Sequence, residues 1–206
     1  MKIAKEDLFF QVGDFAVCAE FQEIMDELRD AIASVQWHLP GKFVINPTRM
    51  GNGVKPIKQK FVDFLESRKW EPEKSMSLVR GMNPGPIDAI KRTNQGIFAV
   101  EWETGNISSS HRALNKIALG IIQKQIIGGI LVLPQRSLAK YLTDRIGNYE
   151  EIMPYVPLFH NLKIEEGLMG IIVVDYDDTS KDALLIPKGQ DGNAKKIAKS
   201  ELLLDE

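Results

Sequence analysis

The sequence predicts an α/β fold in which a central mixed β-sheet of about five strands is flanked by helices. Two uninterrupted apolar runs, residues 126–133 and 168–174, are typical of strands that are buried on both faces. A hairpin pattern covers residues 87–103, and amphipathic helical patterns lie around these segments. Because nothing in the composition indicates a linker between two cores, we expect a single domain over residues 1–206.

Three segments show the periodicity of amphipathic helices. The first should run for about five turns and end before Trp37. Its apolar positions are Val17, Phe21, Ile24, Met25, Leu28 and Ile32. The second begins at Pro56, which suits a first helical position, and is followed by an expected loop at residues 71–74. The third is expected over residues 106–124.

Composition places few limits on function. Hydrophobic residues make up 44% of the chain and charged residues 26%, which is ordinary for a soluble globular protein. The opening residues are polar and no apolar run has membrane length, so we expect a cytoplasmic protein. The lone Cys18 fits a reducing compartment and excludes an internal disulfide.

The net charge of −2 does not exclude a nucleic-acid partner, because local clusters of Lys and Arg determine where a phosphate backbone binds. Lys188, Lys195, Lys196 and Lys199 form such a cluster near the C-terminus. The composition there turns to Lys, Gly, Asp and Asn, which predicts a mobile C-terminal arm over residues 188–206.

Three carboxylates interrupt the predicted hairpin. A short turn containing Asn and Gly pairs Arg92 with Ile97, and this register places Asp88 directly opposite Glu101. Side chains alternate between the two faces of a strand, so Glu103 lies on the same face as the other two acids. Opposed like charges destabilise a strand pair, and we therefore expect a cation among them. Carboxylates without nearby His or Cys favour Mg²⁺, whereas the alternative is an edge hairpin with a solvated acidic face.

A turn rich in Ser and Asn follows the acids at residues 104–112 and leads into the third helix. A helix N-terminus offers free N–H groups and a favourable dipole to a phosphate. Asn106 and Arg112 carry side chains that can read base edges in the major groove. Capping of the helix by a serine is the simpler explanation of the serine run, but it leaves Asn106 and Arg112 unexplained.

Several motifs occur together and in a fixed order. The segment Pro-Ile-Asp at residues 86–88 precedes Glu-Trp-Glu-Thr-Gly-Asn-Ile-Ser-Ser at residues 101–109, with further matching segments at residues 54–57, 141–145 and 185–192. Most of the chain thereby resembles the BamHI family of type II restriction endonucleases, members of the PD-(D/E)XK nuclease superfamily. The second Glu of Glu-Trp-Glu stands where most of the superfamily carries Lys. The resemblance implies a restriction-endonuclease-like version of the predicted fold.

The resemblance also implies a catalytic site that hydrolyses DNA phosphodiester bonds with Mg²⁺ and leaves 5′-phosphate and 3′-hydroxyl ends. Asp88 and Glu101 match the positions of the metal ligands, with the Trp102 carbonyl completing the metal site. Glu73 matches a further acidic position of the catalytic and metal site, and Glu103 matches the position of the general base. Metal ions in such sites lower the pKa of the attacking water and neutralise charge on the phosphate.

For recognition of double-stranded DNA, the resemblance implies base contacts by Asn106, Ser108 and Arg112 from the helix start. Asp144 and Arg145 match the pair that reads outer G·C pairs, which agrees with the usual geometry of Asp to cytosine and Arg to guanine. Arm residues implied to contact the minor groove are Gly189, Asp191, Gly192 and Asn193, although the family carries Met at the last of these. The implied target is the palindrome GGATCC, cut after its first G.

A palindromic DNA site has two-fold symmetry and is usually bound by a protein with the same symmetry. We therefore expect a homodimer whose contacts come from residues 114–124 and roughly 148–156. No organic cofactor and no membrane partner are expected. Two other functions fit the acids: a DNA-recognition module that holds a structural ion, and another carboxylate-pair hydrolase, such as a glycosidase, that works without a divalent ion. The base-reading residues near the helix start argue against the glycosidase.

Overall fold

A mixed β-sheet forms the centre of the computed structural model, which describes residues 1–74 and 85–189, with only the backbone described for Glu73, Lys74 and Asp144. In the described residues this sheet has six strands in the order β1-β8-β7-β6-β5-β4. Strands β6, β7 and β8 are parallel, and the outer strands pair antiparallel. The strands of this sheet are β1 (Lys2–Val12), β4 (Glu71–Lys74), β5 (Ile87–Arg92), β6 (Ile97–Trp102), β7 (Gly128–Pro134) and β8 (Gly167–Asp175). A small second sheet contains β2 (His38–Leu39), β3 (Lys42–Ile45) and β9 (Asp178–Thr179).

Helices cover both faces of the large sheet. Alternate residues of β7 belong to two different hydrophobic clusters, with Ile130 in one and Leu131 in the other, so the clusters lie on opposite faces. The buried residues of α1 and α2 belong to the first cluster, and those of α3, α5 and α6 to the second. The helices are α1 (Ala19–Ser34), α2 (Lys55–Ser67), α3 (Ile107–Ile122), α4 (Arg136–Ala139), α5 (Tyr149–Ile152) and α6 (Val156–His160).

The predicted α/β class and central mixed sheet are confirmed, with one strand more than expected. The two apolar runs form β7 and β8, which are buried over their whole length. The charged N-terminal segment forms β1, which the sequence did not indicate because an edge strand tolerates polar side chains along most of its length. The prediction of a loop at residues 71–74 was wrong, because this segment forms the strand at the opposite edge of the sheet. An edge strand tolerates Pro72, since no further strand requires a hydrogen bond from a backbone N–H there.

Helix positions agree closely with their predictions, with one exception at the start of α1. Val17 is 83% exposed because residues 14–17 form a separate 3-10 turn and the backbone at Cys18 is extended, which redirects the chain before α1 begins. Pro56 lies in the first turn of α2 as expected. Asn106 is the N-cap of α3. Among the described residues, no helix is both long and apolar enough to span a bilayer.

Candidate active site

The three acids of the hairpin share one cavity. Strands β5 and β6 pair in the predicted register, with Arg92 opposite Ile97 and Ala89 opposite Val100. Asp88, Glu101 and Glu103 are only 8%, 7% and 7% exposed, and all three line a cavity of about 630 Å³, named here the acidic cavity. The convergence expected from strand alternation is therefore present, at the end of the strand pair where backbone pairing stops.

Asp88 is held by a backbone donor and by a lysine. The Trp102 N–H donates to Asp88 Oδ2 at 2.7 Å, which fixes the carboxylate between β5 and β6. Asp88 Oδ1 forms an ion pair with the ammonium group of Lys58 on α2. The Trp102 ring packs against Phe61 of the same helix, with ring centroids 4.7 Å apart. The helix α2 thus supports the acid from one face of the sheet.

Glu101 is paired with a buried lysine from the other face. Lys116 of α3 lies against Glu101 Oε1, and its ammonium also donates to the Pro86 carbonyl at 2.9 Å. Burial, together with the nearby charge of Asp88, raises the pKa of Glu101 to about 7, although the charge of Lys116 acts to lower it. The ionised form of Glu101 is therefore disfavoured here, and a divalent cation would stabilise it more than the single charge of Lys116 does.

Glu103 is oriented mainly by the backbone. Its side chain accepts the N–H groups of Gly105 and Thr104. Burial raises the pKa of Glu103, and these donors partly oppose the increase. A Cβ at Gly105 would lie 2.7 Å from Ser109 Oγ and 3.1 Å from Glu103 Oε1, so glycine permits the close approach.

The donors of the acidic cavity fit a hard cation. Glu101 Oε1 is buried and accepts no hydrogen bond of normal geometry, although Lys116 lies against it. Oxygen donors of this kind are those that Mg²⁺ prefers. Within residues 1–74 and 85–189, however, no three His, Cys, Asp or Glu side chains are already arranged around a metal position, and two lysines lie against the carboxylate oxygens of Asp88 and Glu101.

Glu73 joins the site through the backbone register. Pro72 pairs with Ala89 and Lys74 pairs with Ile87, which places Glu73 directly opposite Asp88 on the neighbouring strand. The sequence spacing alone did not predict this pairing, since the segment was expected to be a loop. The side chain of Glu73 lies outside the described part of the structure.

The expected DNA-contact residues divide between two cavities. Asn106 and Ser108 line a second cavity of about 500 Å³ together with Arg145, whereas Arg112 lines the acidic cavity. The side chain of Asn106 accepts the N–H groups of Ser108 at 3.0 Å and Ser109 at 3.3 Å. The proposed capping by a serine was wrong, because Asn106 itself caps the helix.

The second cavity is strongly basic and is named here the basic cleft. It is lined by Arg49, Arg136, Lys140 and Arg145, with Glu151 as an acid that already accepts from Asn148. Arg145 is exposed and its backbone lies in the left-handed region at φ 49°, a conformation that costs about 1 kcal/mol or more for a residue with a side chain. Asp144 precedes it in the same 3-10 turn.

The root of the C-terminal arm lies beside α2. Gly53 donates its N–H to the Ile186 carbonyl at 2.9 Å, and Gly189 lies close enough to α2 for an added Cβ to meet Lys55 at 3.1 Å. The expected arm residues Asp191, Gly192 and Asn193 lie outside the described residues, as does the arm from residue 190 onward.

Sequence reasoning missed several residues that hold these sites. Lys116 could have been found, because it lies among the apolar positions of α3, where an unpaired lysine would be costly. Lys58 gave no such signal, and neither did Asn52. Asn52 is fully buried, its side-chain amide donates to the Asn46 and Tyr141 carbonyls, and its backbone carbonyl accepts from the Thr143 N–H at 2.8 Å. It therefore anchors the segment that leads to Arg145.

Known proteins are similar to most of this chain. The chain is 45% identical over 172 residues to the type II restriction enzyme OkrAI of Oceanobacter kriegii, covering 83% of this chain and 89% of the relative. It is 36% identical over 188 residues to the type II restriction enzyme BamHI of Bacillus amyloliquefaciens, covering 86% and 85%. The crystal structure of restriction endonuclease BglII complexed with a DNA 16-mer shares the fold, with a TM-score of 0.57 over 86% of this chain and 79% of that chain at 14% identity. The family model for restriction endonuclease BamHI matches residues 1–193, and the chain therefore belongs to this family of type II, site-specific deoxyribonucleases.

Proposed function

We propose that this chain is a homodimeric, Mg²⁺-dependent endonuclease that cleaves the palindrome GGATCC after its first G. The observation that carries the proposal is the convergence of Asp88, Glu101 and Glu103 in one buried cavity beside the start of α3. Family membership makes a nuclease the appropriate chemistry for these acids. It also favours the nuclease over the binding module and the glycosidase considered from the sequence.

In this proposal Asp88 and Glu101 hold the metal ion, with the Trp102 carbonyl and Glu73 as further donors. When bound, the ion supplies positive charge that acidifies the attacking water and neutralises charge on the phosphate. The protein contributes fixed geometry, since the Trp102 N–H orients Asp88 and Lys116 orients Glu101. Their burial excludes bulk water, which strengthens each electrostatic interaction.

Glu103 is the proposed general base. Backbone donors at Thr104 and Gly105 hold its carboxylate in one orientation, and burial raises its pKa toward the range in which a base works well near neutral pH. It would take a proton from the water whose oxygen bonds to phosphorus while the bond to the 3′ oxygen breaks. The products are a 5′-phosphate and, after protonation, a 3′-hydroxyl.

Recognition is assigned to both cavities at the start of α3. Arg145 and Asp144 are proposed to read the outer G·C pairs, and Asn106, Ser108 and Arg112 the inner bases. The cations of the basic cleft would bind phosphates on either side of the bases that are read. Minor-groove contacts by the arm are proposed for Gly189, Asp191, Gly192 and Asn193.

The homodimer is supported by exposed apolar side chains in and beside the segments expected to form it. Ile122 at the end of α3 and Met153, Tyr155 and Leu158 in the α5–α6 region are all exposed. Large apolar side chains left exposed are typical of contact surfaces, and an isologous dimer would present one acidic cavity to each DNA strand.

The test is digestion of a plasmid that carries one GGATCC site, beside a plasmid in which one base of that site is changed. We expect linear product from the first plasmid with Mg²⁺ and none with EDTA or from the second plasmid. Sequencing the ends should place the cut after the first G. Cleavage in EDTA would contradict the metal assignment, and cutting at another sequence would contradict the assignment of specificity.

A further inference from the structure

The acidic cavity contains two lysines that differ in how firmly they are held. Lys116 has a side chain that is 7% exposed, and it is anchored twice, to Glu101 and to the Pro86 carbonyl. Lys58 has a side chain that is 27% exposed, and in the described residues its ammonium pairs with Asp88. The first lysine is part of the packed core of the site, whereas the second reaches in from its open side.

Lys58 also has somewhere else to place its ammonium. Lys58 and Asp88 line both the acidic cavity and a neighbouring cavity of about 550 Å³. Gln59, Glu66 and Lys55 of the same helix line the neighbouring cavity, so it offers a carboxylate and an amide beside one further cation. A long, flexible side chain at this position can exchange between the two cavities without unfolding any element.

Asp88 cannot serve both cations equally well. One of its oxygens already accepts from the Trp102 N–H, and the ammonium of Lys58 occupies the other. A divalent ion placed on the same carboxylate would also lie beside a positive charge, and that repulsion disfavours metal binding. A metal ion on Asp88 would therefore compete with the ammonium of Lys58 for this carboxylate.

We propose that Lys58 is a displaceable counter-ion that neutralises Asp88 in the metal-free chain and competes with the divalent ion for this carboxylate. Lys58 is a positioning residue in this account, because it acts through Asp88. It keeps the buried acids from repelling one another before DNA and metal bind, at the expense of metal affinity. The inference rests on the proposed function, since it takes Asp88 as a metal ligand.

The test is a titration with MgCl₂ in the absence of DNA, at constant ionic strength, in which the midpoint of thermal unfolding reports binding. Lys58→Met removes the charge and keeps most of the aliphatic length. We expect half-saturation at a Mg²⁺ concentration lower by about tenfold, since one adjacent charge changes the ion affinity of a carboxylate by a factor of this order or more. The metal-free variant should unfold at a lower temperature than the parent chain, because Asp88 loses its counter-ion.

Matched variants separate the proposed competition from other effects. Lys60→Met removes the same charge from the same helix outside the cavity, where Lys60 contacts Trp37 and Gln36, and should leave half-saturation unchanged. Lys58→Arg keeps the charge and should bind Mg²⁺ as weakly as the parent chain. A merely structural role for Lys58 would give weaker, not tighter, metal binding in Lys58→Met.

The outcomes also separate this inference from the proposed function. If Asp88→Asn abolishes Mg²⁺ binding but Lys58→Met leaves it unchanged or weakens it, Lys58 does not compete and only this inference is overturned. If the parent chain shows no Mg²⁺ binding that depends on Asp88, the metal site and the inference both fail. Tighter binding in Lys58→Met alone, lost again in Lys58→Arg, would support the inference.

Discussion

The acidic cavity and the basic cleft are both lined by the first turns of α3, yet they differ in charge: the described residues of the former balance three carboxylates with three cations, whereas the latter has four cations and one carboxylate. Ser109 and Arg112 face the former, and Asn106 and Ser108 face the latter. The carboxylates of the acidic cavity are buried and two of them pair with a lysine, whereas Arg145 of the basic cleft is exposed. Buried charge in a fixed geometry suits a chemical step, and exposed cations suit a polyanion that arrives from solution. The comparison also explains how a chain with a net charge of −2 can bind DNA.

The largest effect expected from this comparison is a loss of cleavage without a loss of binding. Asp88→Asn keeps the size of the side chain and removes the charge proposed to hold the metal ion. Cleavage should fall by about a thousandfold, which corresponds to several kcal/mol of transition-state stabilisation. DNA affinity measured in EDTA should be unchanged or higher, because one negative charge near the phosphates is removed. Full retention of cleavage would remove Asp88 from the catalytic site.

The next expected effect is a pH dependence of stability that arises in the acidic cavity and not in the basic cleft. The pKa of Glu101 is raised to about 7 from an ordinary value of 4.5, so the folded chain binds this proton more tightly than the unfolded chain does. The resulting stabilisation is present below pH 4.5 and is lost as pH rises through about 7, with a magnitude on the order of 3 kcal/mol. Denaturant unfolding in EDTA should therefore show falling stability from pH 5 to pH 8. Glu101→Gln should flatten this decrease, and an unchanged slope in that variant would contradict the assignment.

Arg145→Ala should change the basic cleft and spare the acidic cavity. Loss of a bidentate contact to guanine costs about 1–3 kcal/mol of discrimination at the outer base pair. Affinity for GGATCC should fall by that amount, while affinity for DNA altered at the outer pair should fall much less. Mg²⁺ binding in the absence of DNA should match the parent chain. Equal losses on both DNAs would indicate a phosphate contact instead of a base contact.

The smallest expected effect concerns Asn106, which has two separable roles. Its side-chain oxygen caps α3, and its amide nitrogen remains available to a base. Asn106→Ala should lose the cap and lower the free energy of unfolding by about 1 kcal/mol. Asn106→Asp should retain the stability of the parent chain, since aspartate also caps, yet lose affinity for the specific site. Equal stability of all three proteins would show that the cap contributes little.

Periodicity was sufficient to predict the elements with strong patterns. The helices α2 and α3 begin within one residue of their expected starts, and the hairpin register that opposes Asp88 and Glu101 follows from the turn alone. The edge strands β1 and β4 escaped detection because an edge imposes neither continuous burial nor strict alternation. With β4 missed, the register that places Glu73 opposite Asp88 could not be predicted.

The sequence by itself determined the chemistry: three acids on one strand face, a polar helix start after them, and two strands buried on both faces. These features depend on local periodicity, which can be read from the sequence without knowing how distant segments pack. Only the tertiary structure decided which cations face the acids, since Lys58 and Lys116 come from helices on opposite faces of the sheet. It likewise assembled the basic cleft from Arg49, Arg136 and Arg145. Such long-range pairings are set by how the layers pack, and no local pattern encodes them.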